Sequence, residues 1–259
     1  MKPEHEEPVR IALSTLRDRG YALAGGNALT VHGIGDRASD DVDLFTNRMT
    51  DDVGAAAQQV RSALEERGHS VTIEQQGVHS SLLIGAGDQQ FSMDLGIDYR
   101  TREPVESAVG PVLHVDDAVG SKIASIYTRG EAKDFVDANA ALRAGYSTDQ
   151  LMRLADAREA SPIDRPTFGQ LLDSARHIPD REYAKYGLGP EETAGLKARM
   201  SGWADELRTR AANPDIDKSL GLVEGGKALP SQERTGAAGG GVHRRSPYEQ
   251  GREKGERGS

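Results

Sequence analysis

The stretch from 21 to 45 constrains this chain more than any other. Tyr21-Ala22-Leu23-Ala24 reads as a short apolar strand that runs into Gly25-Gly26, and 27–32 reads as a brief helix. After a loop, Ser39-Asp40-Asp41-Val42-Asp43-Leu44-Phe45 brings a second strand, expected over 41–45. A glycine pair between strand and helix suits an anion, because the free N–H groups of a first helical turn and the positive dipole end face outward there. Side chains alternate along a strand, so Asp41 and Asp43 share one face while Val42 and Leu44 point into the protein. Two carboxylates facing one way beside a phosphate cradle suit Mg²⁺, which takes carboxylate oxygens together with substrate phosphates. A solvated edge strand is the alternative, and the apolar Val42, Leu44 and Phe45 speak against it.

The rest of the chain divides by pattern. A helix is expected over 8–19, stopped by Gly20, and another over 51–68, with an acidic start and Gly68 as its end. Two antiparallel strands follow near 69–74 and 81–84. Phe91, Met93, Leu95 and Ile97 alternate with Ser92, Asp94, Gly96 and Asp98, the pattern of a half-buried strand. Asp94 is therefore a candidate third carboxylate, either a base for an attacking hydroxyl or a further metal ligand, with Asp98 on the same face as fallback. A strand is expected near 111–115, then a helix capped by Asp116 and Asp117, and a second helix over 132–143.

Lys122 and Arg129 stand seven residues apart, nearly two helical turns, and so project on one side. They are candidates to grip a triphosphate, or else a solvated charged face; Lys133, Asp134 and Asp137 follow them. From 147 the pattern is helical, with Ser147 and Gln150 as a capping box and helices near 148–159, 166–177 and 190–212. Trp203, the one tryptophan, lies at helical spacing with Leu196, Met200 and Leu207 and reads as core. The expectation is an α+β fold: a small mixed sheet with packed helices over 1–145, a helical C-terminal domain over 146–212, and a tail over 213–259 that its Gly, Pro, Arg, Glu and Ser content marks as disordered.

Composition excludes several classes. With no cysteine there is no disulfide or thiolate metal site, which fits a cytoplasmic protein. The seven histidines show no zinc-ligand spacing, and no apolar run reaches the length of a membrane span. The polar, acidic start argues against a signal peptide. Residues 1–145 carry 14 Lys and Arg against 23 Asp and Glu, a net −9, so carboxylates concentrate where the metal site is expected. That balance gives no support to a general nucleic-acid binder.

Gly-Gly-x-Ala-Leu at 25–29, Arg-x-Ser-x-Asp-x-Asp-Leu-Phe at 37–45, and the later Lys122, Arg129 and Lys133-Asp134-x-x-Asp137 together resemble the AbiEii/AbiGii abortive-infection toxins, within the DNA polymerase β-like nucleotidyltransferase superfamily. The resemblance spans roughly 8–145. It implies the toxin of a bacterial toxin–antitoxin pair that moves a nucleotide from an NTP onto an acceptor hydroxyl, with Mg²⁺ as cofactor, tRNA 3′ ends as acceptor and a cognate antitoxin as partner. It makes Asp41, Asp43 and Asp94 the metal carboxylates, and Gly25, Gly26, Asn27, Arg37, Ser39 and Lys122 the nucleotide site. Arg129 and Asp134 join Asp94 and Lys122 as catalytic candidates. The family usually carries Ser or Thr where this chain has Asn27, which stands either against a phosphate oxygen or as a helix cap. Two alternatives stay open: a small-molecule nucleotidyltransferase of the aminoglycoside-modifying kind, and a catalytically silent nucleotide-binding or regulatory protein.

Overall fold

Among the described residues, seven strands form one mixed sheet in the order β3-β4-β5-β2-β1-β7-β6. The computed structural model describes residues 1–87 and 90–212, so the tail expected over 213–259 lies outside the described residues. The strands are β1 (Ala22–Leu23), β2 (Val42–Thr46), β3 (Val71–Gln75), β4 (His79–Ile84), β5 (Phe91–Ile97), β6 (Val105–Ser107) and β7 (Gly110–Val112). The helices are α1 (Pro3–Thr15), α2 (Gly25–Val31), α3 (Val53–Glu65), α4 (Val115–Thr128), α5 (Ala132–Arg143), α6 (Thr148–Asp156), α7 (Arg165–Ser174), α8 (Asp180–Ala184) and α9 (Pro190–Ala212).

Period-two patterning decides which side of the sheet is core. Val42, Leu44, Met93, Leu95, Leu82 and Ile84 are buried on one face, where α3 packs against β3, β4 and β5. The other face of the β3–β5 half carries Thr72, Ser81, Leu83, Ser92 and Asp94, all at least partly exposed. β2 lies parallel to β5 and antiparallel to β1, so two of the central strands point the same way.

Several element ends depart from sequence expectation. α1 starts at Pro3 and carries Pro8 inside it. The missing N–H of Pro3 falls among the first-turn groups that have no helical partner, whereas Pro8, the sixth residue, gives up one bond of the helical ladder. Asp116 and Asp117 do not cap α4. His114 does, its Nδ1 accepting from the backbone N–H of Asp116. Asp117 is buried and accepts from the N–H groups of Thr101 and Arg102 and from the Thr101 hydroxyl. β7 overlaps the strand expected near 111–115, while β6 and α8 fall outside every expected element; with three and five residues they are too short to set up a readable period.

The capping box of Ser147 and Gln150 opens α6. Trp203 is buried, its ring meeting Phe168 edge-on with centroids 5.5 Å apart. The helices after residue 146, expected as a domain of their own, meet the sheet region through α4, which packs on α6 and α7. Met1–Ala211 forms one compact unit.

Candidate active site

The site is built on a line drawn across the sheet. In the parallel pairing of β2 and β5, Asp43 stands directly opposite Asp94. Neighbouring strands lie about 4.8 Å apart, so the two carboxylates share one face at close range. Asp41 precedes β2 by one residue and is exposed at its mouth. Although the residue as a whole is exposed, partial desolvation of its carboxyl and the nearby Asp43 push that group above its usual range. The Asp43 carboxyl is also pushed up, by burial first; Lys122 opposes that and Asp94 adds to it. Ionised carboxylates in such a place call for a cation.

Gly25 closes the other side of Asp43. Its φ is +63°, and a Cβ built on it would stand 1.7 Å from Asp43 Oδ2. The carboxylate therefore lies in space that every other residue would fill. Gly26 is nearly as restricted, because a Cβ there would stand 2.8 Å from an Arg37 guanidinium nitrogen and 3.1 Å from Ser39 Oγ. The glycine pair thus brings Arg37 and Ser39 up to the first turn of α2. Gly25→Ala is expected to lower the melting temperature by a few degrees, since a strained φ costs about 1–3 kcal/mol. It should also cut turnover at least tenfold by displacing Asp43. Thermal melting and initial rates check the two effects.

Asn27 does not cap α2, whose N-cap position is held by Ala24. Its Nδ2 donates to the backbone carbonyl of Asp41 at 2.9 Å, while Oδ1 is buried without a partner among the described residues. It ties the start of α2 to the strand that carries the aspartates. Its place after the glycines shows in sequence; its bond to a loop fourteen residues on does not.

The cations gather on the α4–α5 side. Asp137 accepts both guanidinium bonds of Arg37, at 2.6 and 2.8 Å, and lies 3.5 Å from Lys122 Nζ. All three side chains are at most about a tenth exposed. Two buried cations thus share one carboxylate, which leaves positive charge for an anion. The Arg37 charge loses by burial and gains more from its bonds to Asp137, so its pKa is raised. Its guanidinium also lies over the Tyr186 ring, 5.5 Å from the centroid.

Arg129 is the C-cap of α4 rather than part of its last turn. It forms a two-bond fork to Asp134 at 2.6 and 2.9 Å. Asp134 is fully buried and also accepts from the N–H of Glu131, so both its oxygens are committed to positioning α5. Lys133, in the first turn of α5, adds to the positive field felt by Asp41 and Asp43. Asp98 is set apart from this cluster. It lies past the end of β5 and pairs with Arg158, which reaches Asp117 as well. Asp137 is the residue that sequence reasoning passed over; the Lys-Asp-x-x-Asp pattern contains it, but its partner Arg37 lies 100 residues away.

The donor set fits a hard divalent ion: three carboxylates, two of them directly opposed, packed on a glycine with room for no side chain. Among the described residues no three such groups already stand at coordinating distance from a common point.

The fold resembles MenT4, a nucleotidyltransferase toxin of Mycobacterium tuberculosis H37Rv, with a TM-score of 0.51 and 14% identity, covering 85% of this chain and 91% of that one. It also resembles a candidate nucleotidyltransferase of Helicobacter pylori, with a TM-score of 0.50 and 15% identity over 81% and 97% of the two chains. No curated protein sequence matches the chain. Residues 10–210 match the model of the nucleotidyl transferase AbiEii toxin of type IV toxin–antitoxin systems, and the chain belongs to that family. It is a nucleotidyltransferase enzyme.

Proposed function

We propose that this protein moves an NMP from an NTP onto a hydroxyl at the 3′ end of tRNA, in the presence of Mg²⁺, and that a cognate antitoxin restrains it in the cell. The observation that carries this reading is the line Gly25–Asp43–Asp94, with cations gathered on one side of it. Asp41, Asp43 and Asp94 would hold Mg²⁺, which when bound supplies charge neutralisation at the α-phosphate and a fixed template for the reacting oxygens.

The chain's own residues divide the remaining work. Gly25 and Gly26 let Asp43 and Arg37 close on the start of α2, where the triphosphate is placed. Arg37 and Lys122, held by Asp137, neutralise the β- and γ-phosphates, with Lys133 and Arg129 adding to the field. The acceptor oxygen attacks the α-phosphorus; its proton passes to Asp94, and the bond between the α-phosphorus and the bridging oxygen breaks to release pyrophosphate. Ser39 and Asn27 keep the loop and the helix start in place around this centre.

Total tRNA, Mg²⁺ and each α-labelled NTP in turn test the proposal. Label is expected on tRNA, and it should be lost when the terminal ribose has been oxidised with periodate beforehand. Label that still joins the oxidised tRNA would contradict the 3′-end assignment, and absence of label with all four NTPs would contradict tRNA as acceptor.

A further inference from the structure

The centre has a second side that the reaction scheme above leaves unassigned. The line through Gly25, Asp43 and Asp94 continues one strand further, because Ser81 on β4 is the register partner of Asp94. Ser81 Oγ lies 2.9 Å from Ser92 Oγ, and Ser92 Oγ donates to Asp94 Oδ1 at 3.3 Å. An ionised carboxylate only accepts, so the Ser92 proton goes to Asp94 and the Ser81 proton goes to Ser92. The lone pairs of Ser81 are then left to receive a donor from outside. All three side chains lie on the sheet face opposite α3 and are partly exposed. His79 stands at the same margin, its Nε2 3.8 Å from Asp94 Oδ1.

The two sides of the aspartates differ in charge. Arg37, Lys122, Arg129 and Lys133 all lie on the α4–α5 side, where a triphosphate belongs. Strands β3, β4 and β5 contain no lysine or arginine. A nucleic-acid backbone needs such cations for its phosphates. A sugar hydroxyl needs only hydrogen-bond partners.

We propose that the strip formed by Ser81, Ser92 and Asp94 is the acceptor subsite, and that it takes the terminal vicinal diol of a ribose. One hydroxyl lies at Asp94 as the attacking group, and its neighbour donates to Ser81 Oγ. Ser92 is a positioning residue that keeps Asp94 turned toward the sugar. The phosphates of the acceptor run off the strip and are gripped elsewhere. This inference rests on the nucleotidyl-transfer reading, with Asp94 on the acceptor side.

The test compares Ser81→Ala, Ser92→Ala and Asp94→Asn in the full chain, using total tRNA, Mg²⁺ and the α-labelled NTPs. Ser81→Ala should raise the KM for tRNA up to about tenfold, the upper end of what one hydrogen bond contributes. Its KM for NTP and its thermal protection by NTP with Mg²⁺ should match wild type, which also shows that the fold and the donor side are intact. Ser92→Ala should lower kcat as well, since Asp94 loses its donor. A tRNA ending in 2′-deoxyadenosine should be used about tenfold less well by wild type, and Ser81→Ala should not distinguish it from ordinary tRNA. Unchanged acceptor KM in both serine variants, with Asp94→Asn inactive, would overturn the subsite while leaving the reaction in place. Full transfer by Asp94→Asn would overturn the underlying reading and the subsite with it.

Discussion

Asp43→Asn should lower kcat a thousandfold or more while leaving the protein folded and, without divalent metal, slightly more stable. The activity loss follows from position. Asp43 sits between Gly25 and Asp94 and is the carboxylate that both sides of the centre share. Asparagine keeps the shape but loses the charge, and groups that act on the transition state of phosphoryl chemistry carry losses of this size. The stability gain follows from the electrostatics. Burial and Asp94 raise the Asp43 carboxyl pKa, so its ionised form costs more in the folded state than in the unfolded chain. Removing that charge should raise the melting temperature by about 2–4 °C at neutral pH, the shift of roughly 1 kcal/mol in a chain of this size. The sign fixes the pH course. A raised carboxyl penalises the fold above its folded pKa, and the penalty fades as pH falls and the wild-type group takes up its proton. The gap between variant and wild type should therefore narrow on acidification. Melting curves between pH 4 and about 7.5, with the thiol-free buffer held constant, measure it.

Asp137→Ala should have the opposite balance, with stability the larger loss. Arg37 and Lys122 both depend on this carboxylate, and Arg37 and Lys122 are about nine-tenths buried or more. Removing one partner of a buried ion pair costs about 3–5 kcal/mol, because the remaining charge stays out of water without compensation. A fall in melting temperature on the order of 10 °C is expected. At a temperature well below that melt, the variant should bind NTP more weakly, with KM rising more than kcat falls, since Arg37 and Lys122 lose their fixed directions. Arg37→Met in the same background should recover part of the stability and none of the binding. Such a cycle separates the shared network from independent losses. Equal melting temperatures for wild type and Asp137→Ala would show that the three charges are not coupled as their distances indicate.

How much of this site shows in the sequence depends on the range of each contact. The alternation of 91–97 places Asp94 on an open strand face, and the Asp-x-Asp of 41–43 does the same for its own strand. What the alternation leaves open is that the two strands are parallel neighbours in the register that sets Asp43 against Asp94. That register depends on the β3–β4 hairpin and α3 placing β5 beside β2, a matter of tertiary packing. The glycines could be read as a cradle, yet the reason Gly25 must be glycine is a side chain eighteen residues on. Lys122 and Arg129 illustrate the limit of helical spacing. Arg129 falls where α4 ends, and its guanidinium turns to Asp134 across the following turn instead of extending the Lys122 face. Asp98 shares its period with Asp94 but lies beyond the strand, where Arg158 claims it. Short elements such as β6 and α8 hold too few residues to announce a period. Long ones such as α5, whose bounds match the pattern over 132–143, are plain from sequence alone.

The central claim is that the opposed aspartates and the glycine-opened helix serve transfer of the α-phosphoryl nucleotide unit. Parallel reactions with total tRNA and the preferred NTP, labelled at either the α- or the γ-phosphate, address it most directly. The account predicts that α-label appears on tRNA in step with γ-label released as pyrophosphate, and that Asp43→Asn abolishes both. Appearance of γ-label on the RNA, or transfer undiminished by Asp43→Asn, would contradict it.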